Sequence, residues 1–337
     1  MQKDAGIEEL KKLYEVTTRI QQMKPWEYLW DMDLIGIRNG KEEDTVFYSI
    51  LGRGGDCYGI AVYEGYESYN KFLMMTMRER LNLSIEYVMF NQKNLTCYWG
   101  NRDEISEKQR RKIKEMGYNY RGKNQWLYFM SFQPGYYPYE LSLDEVLRMT
   151  GYMEDLELAL KCYIESGITV NFEDEKMFSF VFEKDKTSWH FSEEPLPFTA
   201  FRFGNLIITD EELLSDLAKA PKGNISLEVD VSPLGASIRD KQYERPANPA
   251  MCIMADVKTE MIIRCEMMEP DSDPIAGLAE ELIGFIFACG APREIQVSNI
   301  IIESGLEQIC DICKIKLRRV KRLKAIDFFR AGMKQFM

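Results

Sequence analysis

The chain has 337 residues, 45% hydrophobic and 29% charged, which is enough apolar material for a core of ordinary proportions and enough length for two domains; disorder is excluded as its main state. Its 43 Lys and Arg against 54 Asp and Glu leave a net charge of −11, arguing against a protein that coats nucleic acid or an anionic membrane over its whole surface, while a local basic patch remains open. No run approaches the roughly 18 apolar residues of a membrane span, the opening MQKDAGIEELKKLYE mixes charges where a secretory signal needs an apolar stretch, and eight dispersed cysteines suit reduced thiols, so a cytoplasmic protein without a membrane partner is expected.

Ile7, Leu10, Leu13, Tyr14, Thr17, Ile20 and Met23 share one stripe at helical spacing, with Pro25 as a stop, and predict an amphipathic helix over 7–23. Three β-rich runs follow at 33–38, 45–51 and 57–63, the last two joined by the GRGGD turn at 52–56. The pattern then predicts a helix over 69–81, a hairpin of strands 85–90 and 95–99 turning at Lys93 and Asn94, and a helix over 104–116. A strand at 126–133 ends in PGYYPYELS, where prolines interrupt pairing and Ser142 can cap a helix over 143–165. Val146, Leu147, Met149, Met153, Leu156, Leu160 and Ile164 form that helix's packing stripe, and Gly167 closes it. Residues 1–167 thus read as an α+β domain. Short strands within 168–203 either extend its sheet or bridge to the next domain, and the segment is read as a connecting region.

The last third, 204–337, has the clearest pattern. Strands at 226–231, 250–257 and 261–268 precede a helix opened by Asp273 and Pro274 and ended by Gly290. A strand at 294–297, a helix over 304–313 and a strand at 315–320 complete a βββαβαβ order, an α/β domain with a mixed sheet. A tight turn at Lys258 and Thr259 would set Cys252 opposite Cys265.

Several motifs admit a structural and a functional reading. GRGGD can form an anion-binding nest, yet it lacks the lysine and helix start of a phosphate loop, so a hairpin turn is favoured. His190, the only histidine, has no nucleophile motif beside it. Cys310 and Cys313 form a CxxC late in a helix at core spacing, which favours packing over redox work. Tyr136, Tyr137 and Tyr139 either make an aromatic surface for a ligand or cover a core edge. Lys314, Lys316, Arg318, Arg319, Lys321, Arg322 and Lys324 form a basic run that can contact phosphates or keep an edge strand from self-pairing, and Lys108, Arg110, Arg111, Lys112 and Lys114 form a smaller cluster.

SLEVDV, then AMCIMADVKTEMIIRCEMM, then a helix and GAPREIQVSN resemble the ribonuclease-H-like core of integrases and DDE transposases over about 226–320. The resemblance implies a two-metal phosphodiester site whose carboxylates come from the first strand, the fourth strand end and a later helix. Asp230 stands at the first position, and Asp256 matches a hairpin aspartate that is not a metal ligand. Ser298, beside Asn299, replaces the fourth-strand aspartate, and KRLKAIDFFRAGMKQFM offers no glutamate at the usual distance, so the core is expected to be degenerate. The chain as a whole resembles uncharacterised bacterial proteins with two adjoining domains of unknown function, through LGRGGDCYGIAVYEG and PGYYPYELS.

The expectation is a non-catalytic binding or scaffold module without a resident metal or other cofactor, meeting nucleic acid or a protein partner through its basic run. The rival is a Mg²⁺- or Mn²⁺-dependent phosphodiesterase or nuclease built on Asp230 and a substituted acid such as Asp273 or Glu280.

Overall fold

Helix α1 (Ile7–Met23) turns Leu13, Tyr14, Val16, Thr17 and Ile20 inward and carries Glu8 and Glu9 in its first turn, where they complement the helix dipole. It stops at Lys24, whose left-handed backbone hands the chain to Pro25. These residues belong to a computed structural model that describes residues 4–183, 187–199 and 206–336. The chain divides into two units, the first made of Met1–Phe72, Lys93–Gln133 and Pro138–Thr199, the second of Leu73–Gln92, Pro134–Tyr137 and Ala200–Met337.

In the first unit, β1 (Ile35–Arg38), β2 (Val46–Leu51) and β3 (Tyr58–Glu64) form a meander, and the glycine-rich turn joins β2 to β3 with Leu51 opposite Gly59. Gly59 is required there, because a Cβ would lie 2.6 Å from the Cys97 carbonyl oxygen. The helix expected from 69 begins earlier, as α2 (Gly65–Thr76), since Gly65 adopts a positive φ and donates its N–H to the Thr45 carbonyl. The predicted strand at 85–90 is instead a helix, α3 (Ile85–Phe90), and it belongs to the second unit. Its aromatic and β-branched content favours a strand, but the Ser84 hydroxyl accepts from the Tyr87 N–H at 3.1 Å, and Leu83, Tyr87 and Val88 bury one helical side.

The sheet therefore continues with β4 (Asn94–Gly100), then α4 (Glu107–Glu115) and β5 (Trp126–Phe132). Ser106 with Gln109, and Ser142 with Glu145, make reciprocal caps at the starts of α4 and α5 (Leu143–Ser166). Gly167 ends α5 at φ 66°. Leu147 does not join the packing stripe; it is 54% exposed, one position off the buried row of Val146, Met149, Met153, Leu156 and Leu160. The segment read as a connecting region supplies β6 (Lys176–Phe182) and β7 (Trp189–Pro195) to this same sheet rather than standing apart, because β6 pairs in parallel with β1. Among the described residues the order is β5-β4-β3-β2-β1-β6-β7, a mixed sheet of seven strands. Its core lies between α1, α5 and one strand face, with Tyr48, Ile50, Ile60, Val62, Trp99 and Phe178 among the residues contributed by alternate positions.

The second unit contains α6 (Glu211–Lys219), β8 (Ser226–Pro233), β9 (Ala250–Asp256), β10 (Ile262–Met267), α7 (Pro274–Cys289), β11 (Glu294–Val297), α8 (Ile300–Ile312), β12 (Lys316–Arg319) and α9 (Lys324–Phe336). Its five-stranded mixed sheet runs β10-β9-β8-β11-β12 among the described residues, with β8, β11 and β12 parallel and β9 antiparallel to β8. Helix α8 starts before position 304 because the Asn299 side chain accepts from the N–H groups of Ile301 and Ile302. Cys252 lies opposite Glu266, not Cys265: Ala255 pairs with Ile262, but an irregularity between Ile262 and Arg264 shifts the register by one residue. Cys252 is thus buried and Cys265 exposed.

Leu227, Val229 and Val231 meet α7 and α8 in the main core, while α9 packs Ile326 and Phe329 beneath Met251, Ile253 and Ala255. Leu81, Leu83, Tyr87 and Val88, from the distant stretch 73–92, bury Ile301 together with Ile275 and Ile300. The Asn82 side-chain amide donates to the Ser298 carbonyl at 2.7 Å, fixing this stretch at the C-terminal end of β11. Among the described residues no helix is long and apolar enough to cross a membrane.

Candidate functional site

Strand alternation sends Glu228, Asp230 and Ser232 to the side of β8 away from α7, and all three are buried. Glu228 Oε2 accepts from the backbone N–H groups of Ala325 at 2.9 Å and Ile326 at 3.1 Å, which anchors the first turn of α9. Burial raises its carboxyl pKa, and these N–H bonds counter the rise. One strand repeat on, Asp230 is 3% exposed and accepts from Arg330 Nη2 at 2.5 Å, while Arg330 Nε donates to Ser232 Oγ at 3.0 Å. Burial pushes Asp230 up to about 6, and the Arg330 charge and the Val231 N–H oppose that rise.

Beside this pair opens a cleft of about 840 Å³ lined by Ser232, Leu234, Met251, Asp327, Arg330 and Met333. Sequence reasoning missed Arg330, although Ala325, Ile326, Phe329 and Met333 at helical spacing signal the amphipathic helix that carries it.

The acids weighed as metal ligands are dispersed. Asp273 caps α7, its Oδ1 accepting from the N–H groups of Ile275 and Ala276. Glu280 is exposed on α7, whose buried side packs on Val229 and Val231, so it lies across the sheet from Asp230. Asp230 and Asp273 both act on Tyr87, whose phenol is raised first by burial and then by these two charges. Ser298 offers no carboxylate, and Asn299 is occupied as the cap of α8. Among the described residues no group of three or more His, Cys, Asp or Glu is arranged to hold a metal ion. These donors do not fit a two-metal centre.

The basic run follows the edge strand β12 into α9. Lys316 and Arg318 reach the Glu294 carboxylate at 3.1 and 3.2 Å, and Arg319 reaches Glu303 at 3.3 Å. The Gln296 amide, Lys316 and Arg318 together hold the Glu294 carboxyl below its usual range. Lys314, Lys321, Arg322 and Lys324 have no carboxylate within 4.0 Å among the described residues.

The three tyrosines are divided between the two units. Tyr136 donates to Asp271 at 2.8 Å and Tyr137 packs edge-on to Phe90 in the second unit, whereas Tyr139 bridges to Ser131 in the first. His190 is exposed on β7, 3.5 Å from Glu183. Cys310 and Cys313 are buried, and burial raises both thiols, Cys310 to about 12, so the thiolate needed for redox work is disfavoured.

Fold and site together define a protein of two mixed α/β units, the second carrying a buried Asp230 paired with a partly exposed Arg330 at the wall of a cleft. Residues 11–179, half of the chain, match the family described as Domain of unknown function (DUF7309), and the chain belongs to that family. Residues 213–334 match the family described as Domain of unknown function (DUF6930). The chain matches no curated protein.

Proposed function

We propose that this is a cytoplasmic protein whose second unit is a degenerate ribonuclease-H-like domain, acting as a non-catalytic module that binds nucleic acid through the free cations between Lys314 and Lys324. The observation that carries the reading is the Arg330 guanidinium on Asp230, the carboxylate that a metal-dependent relative would use. A divalent ion would have to displace that guanidinium from the buried Asp230 carboxylate, and among the described residues no group of three or more His, Cys, Asp or Glu is arranged to hold it. The βββαβαβ order with Asp230 on its first strand supports the fold assignment. Open α/β sheets bind ligands outside the carboxyl ends of their strands, and residues 73–92 cover that end of β11. Eight free cysteines agree with a reducing compartment.

The test is a gel assay of the full chain with labelled single- and double-stranded DNA and RNA, at two salt concentrations, with and without Mn²⁺, beside Asp230→Asn. Binding without cleavage is expected. Four phosphate contacts would weaken it roughly a hundredfold between about 50 and 200 mM salt, and replacing Lys321 and Arg322 by Gln would reduce that slope. Metal-dependent cleavage abolished by Asp230→Asn would overturn the non-catalytic reading, and absence of binding in every lane would remove nucleic acid as the partner.

A further inference from the structure

A second cleft, of about 570 Å³, lies wholly within the first unit at the C-terminal end of α4. Its cationic lining is Arg102, Arg110, Arg111 and Lys114; its aromatic lining is Tyr118, Tyr120 and Trp126. Residues 101–126 carry twice as many Lys and Arg as Asp and Glu, in a chain whose net charge is −11.

The cations of α4 sort into two groups. Lys108 and Lys112 turn away to Asp4 and Glu140, with Lys108 3.0 Å from Asp4 and Lys112 3.8 Å from Glu140. Those at the cleft are poorly neutralised. Arg110 and Arg111 have carboxylates only at 3.9 Å, from Glu107 and Glu115, and Arg102 and Lys114 have none within 4.0 Å among the described residues. Like charges gathered round one concavity repel one another, and a bound anion relieves that repulsion. Arginine suits phosphate in particular, since its planar fork donates two parallel hydrogen bonds.

The aromatic side is neutral and ordered. Tyr118 and Tyr120 stack at 5.6 Å with 10° between their planes, and Trp126 meets Tyr120 edge-on at 6.0 Å. Burial raises both phenols above their ordinary value, so neither adds a negative charge to the cleft. Aromatic side chains beside cations are how proteins hold a base and its phosphate together, and the volume falls in the range of small-molecule sites.

We propose that this cleft binds a small phosphorylated aromatic molecule of nucleotide size, with its phosphates on Arg102, Arg110, Arg111 and Lys114 and its ring against the Tyr118, Tyr120 and Trp126 wall. The site is independent of the basic run in the second unit. The test is calorimetric titration of the full chain with ATP, AMP and inorganic pyrophosphate at about 100 mM salt. Saturable ATP binding is expected, with pyrophosphate at least about tenfold weaker because it lacks the ring. Arg111→Gln with Lys114→Gln, both on exposed positions, lowers ATP affinity about tenfold or more, whereas Lys258→Gln, at an exposed position outside either proposed binding surface, leaves it unchanged. Tyr118→Leu weakens ATP but not pyrophosphate, and thermal melts verify that each variant folds. No saturable nucleotide binding up to about 5 mM, equal affinity for ATP and pyrophosphate, or indifference to the Arg111 and Lys114 substitutions would each overturn the proposal. Binding of a short single-stranded oligonucleotide without binding of ATP would also overturn it.

Discussion

Asp230 titrates in a region of pH where its contribution to folding is measurable. Its carboxyl has a pKa of about 6 in the folded chain against 3.8 for an unperturbed aspartate, so between these values the native state holds the proton more tightly than the unfolded chain. The stability this group supplies is complete below about 3.8 and is lost as pH rises through about 6. Asp230→Asn removes that slope: raising the pH from 4 to 7 should cost the wild type up to about 3 kcal/mol relative to the variant, read from urea midpoints at each pH. Parallel curves would show that Arg330 keeps Asp230 ionised throughout. Arg330→Met tests the other partner. It leaves a buried carboxylate unpaired and should cost about 3–5 kcal/mol at pH 7.5, but clearly less at pH 5, where a protonated Asp230 needs no cation. An equal cost at both values would reduce Arg330 to a packing role. Asp230 was singled out in the sequence by the resemblance of its strand to the first strand of a ribonuclease-H-like core; Arg330 was not, because the hydrogen bond joining them spans 100 positions of chain and no local pattern encodes it.

At the scale of elements, caps decide what propensity leaves open. Ser142 and Glu145 satisfy each other's backbone N–H groups at the start of α5, and the Glu145 carboxylate also accepts from the Ser131 hydroxyl on β5 at 2.7 Å. Ser142→Ala should therefore cost about 1 kcal/mol, measured as a fall in urea midpoint at unchanged slope; a loss within error would mean that water replaces the hydroxyl at this helix end. The same cap was readable in the sequence because serine three residues before glutamate is a local signal. So were α1, the stripe of α5 apart from Leu147, and the strand and helix order from β8 to β12, where periodicity and the turn residues agree. Three features were not. The strand read at 85–90 had the right composition for a strand, and only Ser84 with the spacing of Leu83, Tyr87 and Val88 marks a helix. The irregularity in β10 that separates Cys252 from Cys265 has no glycine to announce it. The place of β6 beside β1 depends on a parallel pairing between segments about 140 positions apart, which alternation within either strand cannot reveal.

The second unit as a whole takes its core from two widely separated stretches of chain. Leu81, Leu83, Tyr87 and Val88 close over Ile301, with Ile275 and Ile300 packed against them. Each such side chain contributes about 1.5–3 kcal/mol when fully buried, and a domain's net stability is only about 5–15 kcal/mol. A fragment of residues 206–337 lacks those four side chains and uncovers the start of α8, so it should bind a hydrophobic dye, be cut early by protease near Ile300 and Ile301, and melt broadly. Joining residues 73–92 to the same fragment through a Gly/Ser linker should restore a sharp melt and remove the dye binding, because the linker replaces only the intervening chain and leaves the contacts intact. If the short fragment instead melted as sharply and at the same temperature as the joined one, the stretch 73–92 would be a passenger on a self-sufficient domain. Its position at the end of β11 would then give no reason why that end of the sheet is closed to a ligand.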